Sequence, residues 1–519
     1  MMGKRINSAT FGTFTMIASA FLVKILGFLY KVPLSHMLGD EGMGYYNSAL
    51  TVYAIFYILT SSAIPKAFSV ILTRSRLNMT HKAYRASIVC FVCMFLFLSI
   101  TLSGLLYFFS HKIACAVGVM NAVYGIRLMA PAVLFSAMSA LCRGYLLSIE
   151  KILYVAISES IEAILKLTLG LYFIFVAQNK QLSLAKVSAY ATGGVLSGAF
   201  ASFLFLIIII IICKKQTVVS GKHPFSLKEH IVSVIKIVLP LLATSLLYSI
   251  TSLLDLSLIN KCLVASGIKK EQAIAFYGNY STLVIPLISF VTTIASAFCL
   301  SVFPSLTNAF ERKEEREFSD ILQRNTPLVF IFSVFVSLGF YFFGDDYFSI
   351  LFPLQSVTTA TSLLRILSPT VVFIAMTTLF NTALEARGHT LAPLITMGSG
   401  IVVKYLISYI LIMKYGVAGS ALSTVISYAI SFFTAILLMK NKVSGQSFKL
   451  RFSLKNCIII VCSFSVSLLI KNIIIGFNMP LYFRVLPILI CCLLFLLGYR
   501  MFYCMQIEKC RKCQNKQNA

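Results

Sequence analysis

Eight of the lysine and arginine side chains in the long apolar stretches of this 519-residue sequence are candidates for a role inside the membrane. A charge at the centre of a bilayer costs about 2.5 to 3.5 kcal/mol, so each of these residues needs a partner or a function. Three are close enough to the end of an apolar stretch to extend toward the lipid headgroups, namely Lys31, Lys66 and Lys236. Of these, Lys66 fits a functional role inside the membrane equally well. The remaining five are predicted to form a binding site, although the two arginines could also reach the membrane surface: Lys24, Arg127, Lys166, Arg365 and Lys404.

Acidic residues are much rarer in the same stretches. Glu159, Glu162 and Lys166 are spaced three and four residues apart, which places them on one face of a helix. Asp255 is the acid in the matching part of the second half of the chain. Five cations against three acids predict a cavity of net positive charge, which suits a phosphate-bearing ligand. A purely structural ion pair between Glu162 and Lys166 is the alternative interpretation.

The composition explains which elements must position these residues. Hydrophobic residues make up 59% of the chain and charged residues 12%, whereas soluble domains have about 25% charged residues. A helix needs about 20 residues to cross the hydrocarbon core, so we predict an all-α integral membrane protein with about 14 transmembrane helices. The predicted spans cover residues 8–32, 44–72, 86–109, 121–146, 152–176, 186–212, 231–261, 274–304, 326–343, 357–384, 391–413, 417–439, 453–475 and 480–504.

The formal net charge of +27 is distributed unevenly across these spans. With the N terminus inside, about 27 of the 44 basic residues lie on the cytoplasmic side and about 9 on the other. This bias predicts a multi-pass protein with both termini in the cytoplasm. Membrane lipids, and not nucleic acid, are then the expected partners of the basic loops.

The sequence also contains an internal repeat. A shift of 238 residues superimposes two pairs of basic residues and a pair of prolines: Arg127 with Arg365, Lys166 with Lys404, and Pro131 with Pro369. We therefore predict two pseudo-symmetric six-helix lobes with a binding site between them near the membrane midplane, as in secondary transporters. The predicted parts are a first lobe, a second lobe, two further helices and a basic cytoplasmic tail, at residues 1–215, 216–445, 446–505 and 506–519.

Other chemistries have little support in the sequence. The cysteine pairs Cys90/Cys93 and Cys510/Cys513 lack further ligands at zinc-site spacing, so we expect no metal, and no cofactor is predicted. A phosphate-binding Gly-x-x-x-x-Gly-Lys-Ser/Thr loop is absent, so energy must come from an ion gradient, the membrane potential or removal of cargo. Whether a coupling ion takes part is left open. The Gly39-Asp40-Glu41-Gly42 turn is interpreted as a solvated turn, with a cation site as the alternative.

Several segments resemble the polysaccharide-exporter branch of the multidrug/oligosaccharidyl-lipid/polysaccharide exporter superfamily. Within that branch the resemblance is to the group of stage V sporulation protein B, YtgP and the MurJ-like flippases. The matching segments are GTFTMIASAFLVKILGFLYKVPLSHMLGDEGMGYYNSAL from Gly12, SSAIPKA from Ser61, Arg127 with Ala130-Pro131, Arg143-Gly144-Tyr145, Ile157-Ser158-Glu159 with Glu162, Tyr277-Gly278, Pro286 through Pro304, and Tyr415-Gly416-Val417-Ala418-Gly419. The chain departs from the group after Tyr145, where Leu146-Leu147-Ser148 replaces the usual Phe-Gln-Gly.

This resemblance implies a V-shaped fold of two lobes plus two helices in a bacterial plasma membrane. It also implies a cargo, an undecaprenyl-diphosphate-linked saccharide moved from the inner to the outer leaflet. Lys24 then matches a cationic residue of the cavity, and the last two helices shape a groove for the lipid tail. Two alternatives remain: a cation-coupled multidrug antiporter that would use Glu159 and Glu162, and a membrane glycosyltransferase or acyltransferase, for which paired catalytic acids are lacking.

Overall fold

The computed structural model describes residues 2–213, 226–352, 354–442, 454–476 and 481–495, and these form helices joined by short connections. The helices in chain order are α1 Met2–Tyr57, α2 Ile64–Asn78, α3 His81–Phe108, α4 Ser110–Val117, α5 Val123–Ser148, α6 Ile152–Asn179, α7 Leu184–Ile212, α8 Leu227–Ala265, α9 Lys270–Asn279, α10 Ile285–Glu311, α11 Glu315–Leu351, α12 Leu354–Leu367, α13 Thr370–Ala386, α14 Ala392–Tyr415, α15 Val417–Lys442, α16 Leu454–Gly476 and α17 Val485–Phe495.

The prediction of an all-α membrane fold is confirmed. In the described part of the chain, 10 helices are long and apolar enough to cross a membrane, or 11 if the bent pair α12 and α13 is one span. The predicted number of about fourteen is not confirmed. One reason is that residues 18–76 run as one helical stretch, so the spans predicted at 8–32 and 44–72 count once. The tail with Cys510 and Cys513 lies outside the described residues.

Local breaks shape several of these helices. Gly39 interrupts α1 with φ 63° and ψ −177°, a backbone conformation that costs little for glycine. Wider π-helical turns at Ile58–Ser62 and Tyr280–Val284 join α1 to α2 and α9 to α10. Between α12 and α13 the chain bends by 43° at Pro369, whereas the matching Pro131 stays inside α5. The two halves of the repeat therefore differ in shape at their paired prolines.

The helices divide into two compact units. Unit one comprises Met1–Phe290 and Pro393–Ser427, and unit two comprises Val291–Ala392 and Tyr428–Ala519. Unit one therefore contains parts of both predicted lobes, and the lobe boundaries stay predictions.

Each unit has its own apolar cores. In unit one, α2, α3, α5 and α8 pack around Phe68 and Phe91, whose stacked rings lie 4.4 Å apart. In unit two, α11 packs on α16 and α17 through Phe335, Phe464 and Phe495.

A buried ion pair also anchors α16 to unit two. Lys471 lies 2.7 Å from Asp346 of α11, and its ammonium donates to the backbone oxygen of Phe342 at 3.0 Å. Lys471 is thus a further cation inside an apolar helix, beyond the eight that were predicted. Because Asp346 is nearly inaccessible to solvent, the pair fixes the lateral position of α16.

Candidate substrate cavity

A cavity of about 370 Å³ in unit one brings together four of the eight predicted site residues. It lies between α1, α5 and α6, and its volume is within the usual range for a small-molecule site. The predicted residues in its wall are Lys24, Glu159, Glu162 and Lys166, and the other polar or aromatic lining residues are Tyr30, Tyr57 and Arg143. Three cations and two acids give the lining a formal charge of +1.

Arg143 is the main charged group of the α5 wall. It is buried, and its guanidinium donates to the Glu162 carboxylate at 2.7 Å and to the hydroxyls of Ser158 and Ser202 at 3.0 and 2.9 Å. Among the described residues, the ion-pair partner of Glu162 is therefore Arg143 and not Lys166. Since Arg143 neutralises Glu162, the charges left for a ligand are those of Lys24, Lys166 and Glu159.

Two glycines of α7 hold α6 in position behind this wall. A side chain at Gly198 would place its Cβ 2.6 Å from the Glu162 backbone oxygen, and one at Gly194 would lie 2.6 Å from the Lys166 backbone oxygen. Only glycine permits such a close approach of two helix backbones, as in the Gly-x-x-x-Gly contacts of membrane helices. Gly194 and Gly198 are four residues apart in α7, and they contact Lys166 and Glu162, which are four residues apart in α6.

Helix α1 carries two lysines that are seven residues apart and therefore on nearly the same face, and of these Lys24 lines the cavity. Lys24 donates to the backbone oxygen of Ser289 at 3.1 Å, and Lys31 donates to that of Ser281 at 2.9 Å. Between them, Tyr30 donates to the Ala191 backbone oxygen at 3.3 Å, which fixes the wall of the cavity against α7.

A seam of polar contacts continues along α1 beyond Gly39. Three side-chain hydrogen bonds join α1 to α9 and the following π-helical turn: Asn279 to Asp40 at 3.1 Å, Asn47 to Thr282 at 2.6 Å, and Thr51 with Tyr277 at 2.8 Å. The backbones are in close contact here, since a Cβ on Gly278 would lie 2.3 Å from the Asp40 backbone oxygen. The Asp40 turn is therefore packed against α9 and is not simply solvated.

Asp255 and Lys404 form a separate buried cluster in unit one. The Lys404 ammonium has no solvent exposure and lies 2.7 Å from the Asp255 carboxylate. The same carboxylate accepts from the Tyr280 hydroxyl at 3.2 Å and from the Ser420 hydroxyl at 3.4 Å. Neither residue lines the cavity described above. Lys404 therefore differs from Lys166, its partner in the repeat, which faces the cavity.

The two predicted arginines have other local partners. Arg127 is exposed near the start of α5 and donates to the Ser110 hydroxyl of α4 at 2.9 Å. Arg365 is 44% exposed in unit two and pairs with Asp345 at 2.5 Å. Neither is among the lining residues of the cavity.

Arg143 is the lining residue that the sequence prediction left out. It belongs to the Arg143-Gly144-Tyr145 motif and lies near the predicted cytoplasmic end of its span, but it was not among the residues predicted to bind substrate. The available signal was the acid on the facing helix, because a buried Glu162 needs a cationic partner.

Comparison with known proteins decides the family. The sequence profile described as lipid II flippase MurJ matches residues 15–488, which is most of the chain. The chain belongs to the MurJ lipid II flippase family. It is a multi-pass membrane protein of a transporter family and not of a family of catalytic enzymes.

Relatives and solved structures are consistent with this family. The uncharacterized membrane protein YabM of Bacillus subtilis (strain 168) is 24% identical over 420 residues, covering 80% of this chain and 77% of YabM. Stage V sporulation protein B of the same organism is 20% identical over 475 residues, covering 90% of both chains.

The fold itself is that of known flippases and drug transporters. A structure of lipid II flippase MurJ in an inward closed conformation has a TM-score of 0.69 at 18% identity, covering 94% of this chain and 99% of that one. A multidrug resistance MATE transporter in an inward-facing conformation has a TM-score of 0.67 at 15% identity, covering 82% and 94%. These structures show the fold, and the predicted resemblance to the group of stage V sporulation protein B and the MurJ-like flippases is confirmed by the family profile and the relatives.

Proposed function

We propose that this chain is a flippase that moves an undecaprenyl-diphosphate-linked saccharide from the inner to the outer leaflet of a bacterial plasma membrane. The observation that carries the proposal is the cavity of unit one, where Lys24, Arg143 and Lys166 outnumber Glu159 and Glu162. Membership in the MurJ family supports a lipid-linked cargo. Both termini would then face the cytoplasm, as the distribution of basic residues suggests.

Lys24 and Lys166 are the proposed ligands of the diphosphate. An ammonium ion binds a phosphate oxygen through a charge-assisted hydrogen bond, and such bonds are shorter and stronger than those between neutral groups. Arg143 is proposed to act indirectly, since its guanidinium is already paired with Glu162 and thereby keeps that acid from repelling the cargo. Glu159 remains as an acid at the edge of the site.

The proposed cycle is alternating access. Only the charged and sugar-bearing headgroup loses much hydration free energy in the membrane, so a cavity has to enclose the headgroup while the polyprenyl tail stays in lipid. An ion gradient, the membrane potential or removal of cargo outside would supply the driving force.

The test is complementation of a strain that lacks its own lipid II flippase, with outer-leaflet precursor measured by a membrane-impermeant reagent. Lys24→Ala and Lys166→Met should each reduce export at least tenfold, because a hydrogen bond to a charged group contributes about 1.5 to 3 kcal/mol. The control is Lys112→Ala, at an exposed lysine of α4 outside the cavity. Full export by both cavity variants would contradict the site, and failure of the unmodified chain to rescue would contradict the function.

A cation-coupled multidrug antiporter is the second candidate. It is favoured by Glu159 in the cavity wall and by the similarity in fold to MATE transporters. Glu159→Gln would then abolish resistance to a cationic drug, whereas a flippase would leave drug sensitivity unchanged and depend on the lysines. Expression in a strain without drug exporters separates the two outcomes.

A further inference from the structure

The contact between Lys31 and the π-helical turn at Tyr280–Val284 has an unusual acceptor. In this turn the Ile285 backbone N–H donates to the Tyr280 oxygen, five residues earlier. The corresponding donor for the Ser281 oxygen would be residue 286, which is proline and has no N–H. The Lys31 ammonium donates to this carbonyl at 2.9 Å, where the backbone donor is missing. Together with the hydrogen bond from Asn47 to Thr282, Lys31 therefore links α1 to the turn.

Lys31 is also next to the proposed substrate cavity. Lys31 does not line the cavity, but it follows Tyr30 of the α1 wall and is near enough to Lys166 of the α6 wall for the two like charges to repel. Two cations of like sign close together are destabilised until an anion comes between them. A neutral carbonyl is a weaker partner for an ammonium than a phosphate oxygen is. An anion in the cavity would therefore compete with Ser281 for the Lys31 ammonium.

The rest of the seam between α1 and α9 combines close backbone packing at Gly44 and Gly278 with hydrogen bonds that water can replace. Its hydrogen bonds join amides, hydroxyls and a carboxylate, and Lys24 is held in a similar way to Lys31, by the Ser289 backbone oxygen. When the seam opens, its polar groups exchange their partners for water and stay hydrogen-bonded. One additional competing charge can therefore shift the equilibrium between the closed and the open seam.

We propose that Lys31 is a substrate-operated latch, whose ammonium leaves the Ser281 carbonyl for the diphosphate and thereby releases α1 from the π-helical turn. The inference rests on the proposed function, because it requires a diphosphate in the cavity. It adds that Lys31 is both a ligand of the cargo and the connection through which cargo binding loosens the seam.

Hydrogen exchange measured by mass spectrometry on the full-length protein in lipid nanodiscs tests the latch. The probes are farnesyl diphosphate, inorganic pyrophosphate and, as an uncharged control, farnesol. Both diphosphates should speed exchange of the backbone amides in residues 277–289 by about fivefold, since one net hydrogen bond is worth about that factor. Farnesol should leave exchange unchanged. A response to farnesyl diphosphate alone would mean that the lipid moiety and not the shared diphosphate operates the seam, and would overturn the latch.

Two variants make the test specific and predict opposite changes in affinity. Lys31→Met should already exchange rapidly in residues 277–289, show no further response, and bind both diphosphates about tenfold more weakly. Pro286→Ala supplies an N–H for Ser281, frees the lysine, and should bind them about fivefold more tightly. Lys112→Met, the same change at an exposed lysine of α4, should match the unmodified protein.

The outcomes separate the latch from the function. If the unmodified protein binds farnesyl diphosphate but exchange in residues 277–289 does not change, or if Lys31→Met binds as tightly as the unmodified protein, the latch is wrong and the proposed function stands. If the unmodified protein binds neither diphosphate, the proposed function fails and the latch fails with it. A monodisperse elution profile shows that each variant is folded.

Discussion

Lys404 offers a quantitative test of the packing in unit one, because its ammonium has no solvent exposure. In Lys404→Met, the hydrogen-bond donors that the described part of the chain leaves to the Asp255 carboxylate are the neutral hydroxyls of Tyr280 and Ser420. Breaking a buried ion pair by removing one partner costs about 3 to 5 kcal/mol, since the remaining charge is uncompensated. We expect Lys404→Met to lose that amount of unfolding free energy.

The double variant Asp255→Asn/Lys404→Met separates the cost of the unpaired charge from the cost of lost packing. It removes both charges and retains side chains of similar volume, so its stability should return to within about 1 kcal/mol of the unmodified protein. Arg365→Met is the matched control, because its partner Asp345 is 43% exposed and surface pairs contribute about 0 to 1 kcal/mol.

Unfolding can be followed with a thiol-reactive dye in mixed micelles of increasing denaturing detergent. The chain has no Trp, but buried Cys262, on α8 beside the pair, becomes reactive when α8 unfolds. Equal losses in Lys404→Met and Arg365→Met would refute the reasoning, as would a double variant that is less stable than either single variant.

Two further outcomes follow from contacts described above. Gly198→Val should push α6 away from α7 at Glu162, lower stability by about 1 to 3 kcal/mol and abolish export. The control Gly104→Val should keep export, because a Cβ at Gly104 would have no atom within 4 Å. Complementation measures export and the dye assay measures stability for both variants. Lys471→Met should leave Asp346 as a buried unpaired charge, cost about 3 to 5 kcal/mol and expose α16 to limited proteolysis, and an unchanged cleavage pattern would contradict this role of the ion pair.

Much of the helical fold could be predicted from sequence because span length and apolarity are local properties. The helices lie where apolar runs of sufficient length occur, and the break in α1 falls at Gly39, between two predicted spans.

The site was predictable only where it depends on a single helix. The three-and-four spacing predicts that Glu159, Glu162 and Lys166 share a helix face, and all three line one cavity, because helical periodicity determines which residues share a face. The partners across helices were not predictable. Arg143 pairs with Glu162, and Lys404 with an acid 149 residues away, since contacts between helices depend on how each helix is rotated.

The repeat illustrates the same limit. Lys166 and Lys404 occupy equivalent sequence positions, yet one lines a cavity and the other is fully buried against Asp255. The predicted repeat matches the positions of the two lysines in sequence, while the charge environment of each depends on the helices packed around it. Symmetry in sequence therefore predicts where a cation lies along its helix but not what it binds.

The polar character of the seam between α1 and α9 has a thermodynamic consequence. Opening it would hydrate amides, hydroxyls and a carboxylate, and also the side chain of Ile274, which is buried against Gly44. Hydration of polar surface lowers heat capacity slightly, whereas hydration of apolar surface raises it strongly. Because the two contributions have opposite signs, the equilibrium between the joined and the parted seam should vary less with temperature than that of a purely apolar interface, which keeps the opening frequency more even between cold and warm growth.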